Sequence, residues 1–322
     1  MKAIVYERFG PPDVLELKEI DKPSPGDDDV LIRVRAAALN PLDWRIMTGK
    51  PFITRLFARR IPKPRRPGVD VAGVVEAVGK NVKELKPGDE VFGSCVGALA
   101  EYASAPAAMI VKKPANLTFE QAAAINVGGR TALQGLRDDI RLQPGQKVLI
   151  NGAAGGVGTF AVQIAKWLGA DVTGVCSTGN VDLVRSIGVD RVIDYTRDDF
   201  TRGNERYDVI FDCIGNHGLR ACRRVMNPHA IFLAVGGPFR GFIEFGIRLL
   251  APAVMSRLGS QKFALVMTKR NKEHLPILRD LAASGKIKSV IDGHYTFEQA
   301  PEAMRHLMQG HARGKVVVTV SD

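Results

Sequence analysis

Three glycines, Gly152, Gly155 and Gly158, are spaced by three residues within the segment KVLINGAAGGVGTFAVQIAKWLGADVTGVCS, Lys147 to Ser177. Glycine at these places permits a tight turn, lets backbone N–H groups approach a pyrophosphate and lets the next helix pack closely on a sheet. The pyrophosphate would sit at the N-terminus of that helix, where unpaired N–H groups and the helix dipole both favour negative charge. A glycine triplet alone also describes a flexible loop. Here the apolar strand before it and the helix after it are both legible, which is the context that a dinucleotide-binding turn requires.

The end of the second strand bears on which dinucleotide is bound. NAD-selecting enzymes place an Asp or Glu about 20 residues past the first glycine, where it binds the ribose hydroxyls. This chain reads Val175-Cys176-Ser177-Thr178-Gly179-Asn180, with no carboxylate until Asp182. Ser177, Thr178 and Asn180 can donate hydrogen bonds to a 2′-phosphate that no carboxylate in this stretch would repel. NADPH is therefore the expected cofactor.

The elements that must hold this turn fall into two kinds. Up to about residue 121 the chain reads as short strands between turns: Leu31–Ala36, Val71–Val78 and Glu90–Gly93, with Pro25-Gly26 and Pro87-Gly88-Asp89 as punctuation. That spacing suggests an all-β, barrel-like domain. From Ala122 onward strand and helix alternate, with strands expected at Val148–Asn151, Asp171–Ser177, Arg191–Tyr195, Tyr207–Cys213 and Ala230–Val235. Helices fit at Gly156–Leu168 and Val181–Ile187, the element order of a doubly wound parallel sheet. Beyond a helix near Lys272–Ser284, the chain passes Ser289-Val290-Ile291 and a short helix near Phe297–Gln309 to a last strand, Lys315–Val320. This tail shows no crossover helix in the sequence and is expected to complete the first domain's sheet.

Composition narrows the class. The 322 residues are 45% hydrophobic and 25% charged, the balance of a globular protein of about two domains. The greasy stretch Phe242–Leu258 is interrupted by Glu244, Arg248, Pro252 and Arg257, which argues against a membrane-spanning helix. Glu7 and Arg8 come too early for a secretory signal, so a cytoplasmic address is expected. Cys95, Cys176, Cys213 and Cys222 form no C-x-x-C pair and read as small buried hydrophobes. A net charge of +11 favours anionic partners, of which nucleic acid rests on charge alone and is not expected. The densest cations, Arg59 to Arg66, stand among prolines and read as a solvated loop that offers at most a weak contact with an acidic membrane.

Several further blocks carry a likeness to a known family: AAALNPLDW (Ala36–Trp44), PGVDVAGVVEAVG (Pro67–Gly79), KPGDEVFG (Lys86–Gly93), GAAGGVG in the glycine turn and ARGKVVV (Ala312–Val318). Together they resemble the zinc-free medium-chain dehydrogenases/reductases of the quinone oxidoreductase, or zeta-crystallin-like, type over nearly the whole chain. The resemblance implies an α/β protein with a GroES-like β-rich catalytic domain, residues 1–121 and 268–322, and a Rossmann domain, residues 122–267, inserted between them. It implies NADPH-dependent transfer of hydride to a quinone or an α,β-unsaturated carbonyl, and a homodimer. Zinc relatives have a Cys ligand near Asp43 and Gly-His-Glu where this chain has Gly68-Val69-Asp70. Valine cannot bind zinc, so a zinc-independent reaction is implied.

The family pattern puts Asn40 in the substrate cleft beside the nicotinamide, where it would hydrogen-bond the oxygen that becomes negative as hydride arrives. It puts Thr131 at the nicotinamide end, Gly155, Gly156 and Val157 at the pyrophosphate, Ser177 and Tyr195 around the adenosine phosphate, and Ile214 and Gly236 along the cofactor. Two positions depart from close relatives: Gly179 replaces an arginine that would clamp the 2′-phosphate, and Arg45 stands where bacterial quinone reductases have a cleft tyrosine. Asn40 has a plainer alternative as a turn residue before Pro41, and Tyr195 as a strand end. A non-catalytic NADPH-binding sensor or structural protein, and a membrane-surface reductase, are the rival readings.

Overall fold

The computed structural model describes residues 1–50, 54–55, 63–236, 256–257, 259–266 and 271–320. The chain divides into two compact units, Met1–Val127 with Asn271–Asp322, and Gly128–Arg270. The first junction lies later than residue 121 because the helix Phe119–Ala123, whose alanines Ala122 and Ala123 are buried, packs on strands of the first unit.

The first unit begins with strands β1 (Lys2–Val5), β2 (Glu16–Glu19) and β3 (Asp29–Leu39), then helix α1 (Pro41–Thr48). Strands β4 (Asp70–Val78), β5 (Glu90–Ser94), β6 (Tyr102–Pro106) and β7 (Ile110–Lys112) follow, and then helix α2 (Phe119–Ala123). β3 outruns the expected Leu31–Ala36 because Ala36, Ala37 and Ala38 are all fully buried, small enough to be covered on both faces of the sheet. The expectation of an all-β half is corrected by α1. Asn40 caps it, Pro41 opens it with a preset φ, and Asp43 at the third helical position accepts back from the Asn40 N–H, a complete capping box. Helix α3 (Asn126–Leu133) carries the chain across the junction.

The second unit contains β8 (Lys147–Asn151), α4 (Gly158–Trp167), β9 (Asp171–Cys176), α5 (Val181–Ser186) and β10 (Arg191–Asp194). It continues through β11 (Tyr207–Asp212), α6 (Leu219–Arg223), β12 (Met226–Ala234) and β13 (Lys262–Leu265). Among the described residues its strands run β10-β9-β8-β11-β12-β13, and every pairing is parallel. The order reverses direction between β8 and β11, which opens a crevice at their carboxyl ends, where such sheets bind ligands. Phe232 and Phe263, with ring centroids 5.7 Å apart, pack with Leu149, Ile210 and Met226 in its core.

The chain then re-enters the first unit through α7 (His274–Ala283), β14 (Ile291–Thr296), α8 (Ala300–Met308) and β15 (Lys315–Thr319). β15 pairs antiparallel with β3, from Val316 opposite Leu39 to Thr319 opposite Ala36, and so completes that sheet. The tail does contain a crossover helix, contrary to the sequence expectation. β14 and β15 are parallel, a pairing that no hairpin can make, and α8 joins them with Ala300, Ala303 and Met304 buried.

Candidate functional site

In the second unit the glycine turn lies at the carboxyl end of β8. Gly152 has φ +85°, a left-handed conformation costly for any residue with a Cβ, and its N–H and that of Ala153 donate to Val175 O at 3.2 and 3.0 Å. Gly158 and Gly155 serve different ends. A Cβ on Gly158 would stand 2.0 Å from Gly152 O, so Gly158 is required by the close approach of α4 to the turn. A Cβ on Gly155 would meet only Gly152 O, at 3.4 Å, and would otherwise fill open space. Gly156 and Val157 complete the turn, and no side chain caps the first turn of the ten-residue α4.

One later strand end meets this turn, and a second meets that one. A Cβ on Gly152 would touch Ile214 Cδ1 at 2.7 Å, and one on Gly236 would touch Cys213 O at 2.4 Å. Ile214, with 43% of its surface exposed, therefore presents an apolar face beside the turn. Asp212, which the sequence reading did not single out, fixes this loop: its Oδ1 accepts from Asn151 Nδ2 at 2.8 Å, Ile214 N at 3.0 Å and Gly215 N at 2.9 Å. An open glycine face, an uncapped helix N-terminus and an exposed isoleucine suit a pyrophosphate with an apolar ring system beside it. Gly152, Gly155, Gly156, Val157, Gly158, Ile214 and Gly236 are thus brought together. Thr131 lies half-buried in α3.

At the far end of β9 the structure corrects the expectation that no carboxylate is near. β10 pairs parallel with β9 so that Asp194 is opposite Cys176, the residue before Ser177. Thr178 Oγ1 donates to Asp194 Oδ2 at 2.5 Å, and this bond holds the Asp194 carboxyl below its ordinary range. Asn180 Nδ2 donates to Ser177 Oγ at 3.1 Å. Tyr195 follows Asp194, its N–H bonded to Cys176 O at 3.0 Å and 54% of its surface exposed. Ser177, Thr178, Asn180 and Tyr195 are therefore one neighbourhood, with a carboxylate from the adjacent strand inside it.

The first unit holds a different arrangement around Asn40. Asp70, fully buried at the start of β4, accepts from Asn40 Nδ2 at 3.0 Å, Asn126 Nδ2 at 2.8 Å, Val127 N at 3.1 Å and Lys315 Nζ at 3.0 Å. Lys315 Nζ also donates to Asn40 Oδ1 at 2.5 Å, and Asn40 Nδ2 to Ala38 O at 3.3 Å. Both amide protons of Asn40 are therefore committed, and the expected oxyanion donor is instead a buried link between Asp70 and Lys315. Asp43 accepts from Asn40 N at 2.7 Å and Gly68 N at 3.1 Å. Burial, reinforced by nearby Asp70 and opposed by those N–H bonds and by Lys315, pushes its carboxyl up to about 7. Arg45 lies on α1 with its guanidinium 5.4 Å from the Trp44 ring.

At the positions that the family resemblance assigns to zinc ligands, Asp43 and Asp70 are held by backbone N–H groups, amides and Lys315, and Val69 has an aliphatic side chain. Among the described residues no three His, Cys, Asp or Glu side chains cluster as a metal site. The four cysteines are free thiols, each with its pKa raised by burial, Cys176 to about 11 and Cys222 to about 12. Of the basic run expected in solvent, Arg65 is instead 5% exposed, with its backbone paired to Tyr6 and Nη1 donating to Glu7 O at 3.2 Å. Arg59 to Pro62 and nearly all of Phe242–Leu258 lie outside the described residues. Among the described residues no helix is long and apolar enough to cross a membrane.

Comparison with known proteins fits both units. Residues 26–115 match the alcohol dehydrogenase GroES-like domain, and residues 187–318 match the zinc-binding dehydrogenase model. The chain is 36% identical to a 2-methylene-furan-3-one reductase of Solanum lycopersicum over 99% of its length and 79% of that protein's. The chain belongs to the medium-chain dehydrogenases/reductases of the quinone oxidoreductase type. A second family member, an NADPH-dependent alkenal/one oxidoreductase of Arabidopsis thaliana, is also 36% identical, over 99% of this chain and 79% of that one. The quinone oxidoreductase structure from Coxiella burnetii superposes with a TM-score of 0.87 at 30% identity, covering 100% of this chain and 99% of the other. Family membership makes the chain an NAD(P)-dependent oxidoreductase with a GroES-like and a Rossmann-like domain.

Proposed function

We propose that the chain is an NADPH-dependent reductase that delivers hydride to a quinone or to the β-carbon of an α,β-unsaturated carbonyl, without a metal ion. The observation that carries this reading is the open face of Gly155 before the uncapped α4, set beside the exposed Ile214 at the crevice of a parallel sheet. The printed activities of the tomato and Arabidopsis relatives supply the acceptor class. A nicotinamide bound there would supply the hydride. The chain's residues would do the positioning: the N–H groups of Gly156, Val157 and Gly158 would hold the pyrophosphate, and Ile214 would orient apolar ring surface.

Positioning supplies most of the rate in such a reaction, because activated acceptors are already electrophilic. Asp70 bonded to Lys315, and Val69 beside it, leave the ligand positions of the zinc relatives with no set of metal donors, which supports metal-independent reduction. The thiols are too weakly acidic at neutral pH to serve as anions, and the proton that completes a two-electron reduction is assigned to solvent.

The test is loss of nicotinamide absorbance when the purified protein is mixed with NADPH or NADH and a panel of quinones, enones and simple aldehydes, with and without a chelator. Turnover of NADPH with quinone or enone, unchanged by the chelator, is expected. Tight NADPH binding with no turnover on any acceptor would establish a non-catalytic binding protein, and loss of activity on chelation would overturn the metal-independent reading.

A further inference from the structure

We infer that Asp194 is a specificity-determining residue at the adenosine end of the cofactor, narrowing the preference for a 2′-phosphorylated dinucleotide so that the chain also binds the 2′-hydroxyl form. The inference rests on the dinucleotide reading of the second unit. NAD-selecting sheets carry their acidic residue at the end of the second strand, where it accepts from ribose hydroxyls. Here that strand ends in Cys176-Ser177-Thr178, and the neighbouring β10 supplies the carboxylate through the parallel register that sets Asp194 opposite Cys176.

The hydrogen bonds show what this carboxylate does to its surroundings. Thr178 has one hydroxyl proton, and it points to Asp194 Oδ2 at 2.5 Å, so it is withdrawn from any phosphate. Thr196 N and Oγ1 donate to Asp194 Oδ1 at 3.0 and 2.8 Å, which fixes the carboxylate in one orientation. Of the three donors that the sequence offers a 2′-phosphate, Ser177 keeps its hydroxyl proton and Asn180 already gives one amide proton to Ser177 Oγ. The remaining lone pairs of Asp194 suit a hydroxyl proton and oppose a dianion.

Cations nearby keep the phosphate from being rejected outright. Arg197 Nε stands 3.6 Å from Asp194 Oδ2, and Arg185 on α5 stands 3.8 Å from Asp182; both arginines are well exposed. A fixed acceptor for the hydroxyl thus opposes exposed arginines for the phosphate, and specificity is the difference between the two.

The experiment measures dissociation constants of NADPH and NADH by nicotinamide fluorescence, without acceptor, for the wild type, Asp194→Asn and Thr178→Val. Wild-type constants within about tenfold of each other are expected. Asp194→Asn removes the like charge, so it binds NADPH about tenfold tighter and NADH no tighter. Thr178→Val leaves Asp194 Oδ2 without its hydroxyl donor, while Thr196 still bonds Oδ1, and weakens NADPH at least about threefold at unchanged NADH affinity. Thermal melts identify any variant that fails to fold, and Thr178→Val then carries the test alone.

Equal shifts for both cofactors, or no shift, in whichever folded variants are measured would overturn the role of Asp194. A wild type that strongly prefers NADH would refute the NADPH assignment, whereas the change on Asp194→Asn would still report on Asp194. A wild type that binds neither cofactor overturns the site and this inference with it.

Discussion

The Asn40 cluster in the first unit and the glycine turn in the second both lie where strands end, and they treat polar groups in opposite ways. Around Asp70 an amide, a second amide, a backbone N–H and an ammonium group converge on one buried carboxylate. Around Gly155 space is open where a side chain would stand, its own N–H and C=O being bonded to Gly152 O and Thr159 N, and the helix behind it has no side-chain cap. The first arrangement is complete within the protein and holds chain segments together. The second leaves the first turn of its helix without a side-chain acceptor. Buried charge stabilises only when its partners are present, whereas an uncapped helix end costs little while solvent can reach it.

The contrast is most severely tested at Lys315. Lys315→Met leaves the Asp70 carboxylate buried without its counter-ion and should cost about 3–5 kcal/mol in urea unfolding. Adding Asp70→Asn should recover much of that loss; a double variant as unstable as the single one would mean that charge pairing is not what the cluster contributes.

Next in size is the pH dependence that Asp43 imposes. Its folded pKa, about 7, lies above the unfolded carboxylate value, so the folded state binds more protons between the two. Stability should therefore fall as pH rises from about 4 to about 7, by on the order of 2–4 kcal/mol, and level off above. Asp43→Asn should flatten that part of the curve; an unchanged slope would assign it to other groups.

The two glycines then separate packing from binding. Gly158→Ala forces a Cβ against Gly152 O and should cost about 1–3 kcal/mol. Gly155→Ala has room, so its melting temperature should stay near the wild type's while NADPH affinity drops at least about tenfold. If Gly155→Ala binds NADPH normally, the open face is not the pyrophosphate site.

The smallest effect is expected at Asn40. Asn40→Ala removes one link of the cluster, about 1 kcal/mol of stability, and turnover at a temperature where it stays folded should drop less than tenfold. A drop of about 10²–10³ would instead restore the oxyanion role that the sequence suggested.

The sequence by itself determined the parts that depend on neighbours along the chain. The glycine spacing and the alternation of strand and helix are local patterns, and β8, α4, β9, α5, β10 and β11 of the second unit fall within a few residues of where they were expected. The capping box at Asn40, Pro41 and Asp43 was equally local and could have announced α1, but its signal was read as a turn.

Only the tertiary structure decided which side chains are already occupied. Lys315 reaches Asn40 and Asp70 because β15 returns to β3 from the far end of the chain, and Asp194 enters the neighbourhood of Ser177 and Thr178 because β10 pairs with β9. Neither meeting leaves a periodic trace, since a strand's pattern records which face it buries and not which strand lies beside it. The capacity for a dinucleotide is thus written in the local sequence. The commitment of Asn40 and the charge beside Ser177 come from pairing between distant segments, where burial and hydrogen bonding fix the state of each group.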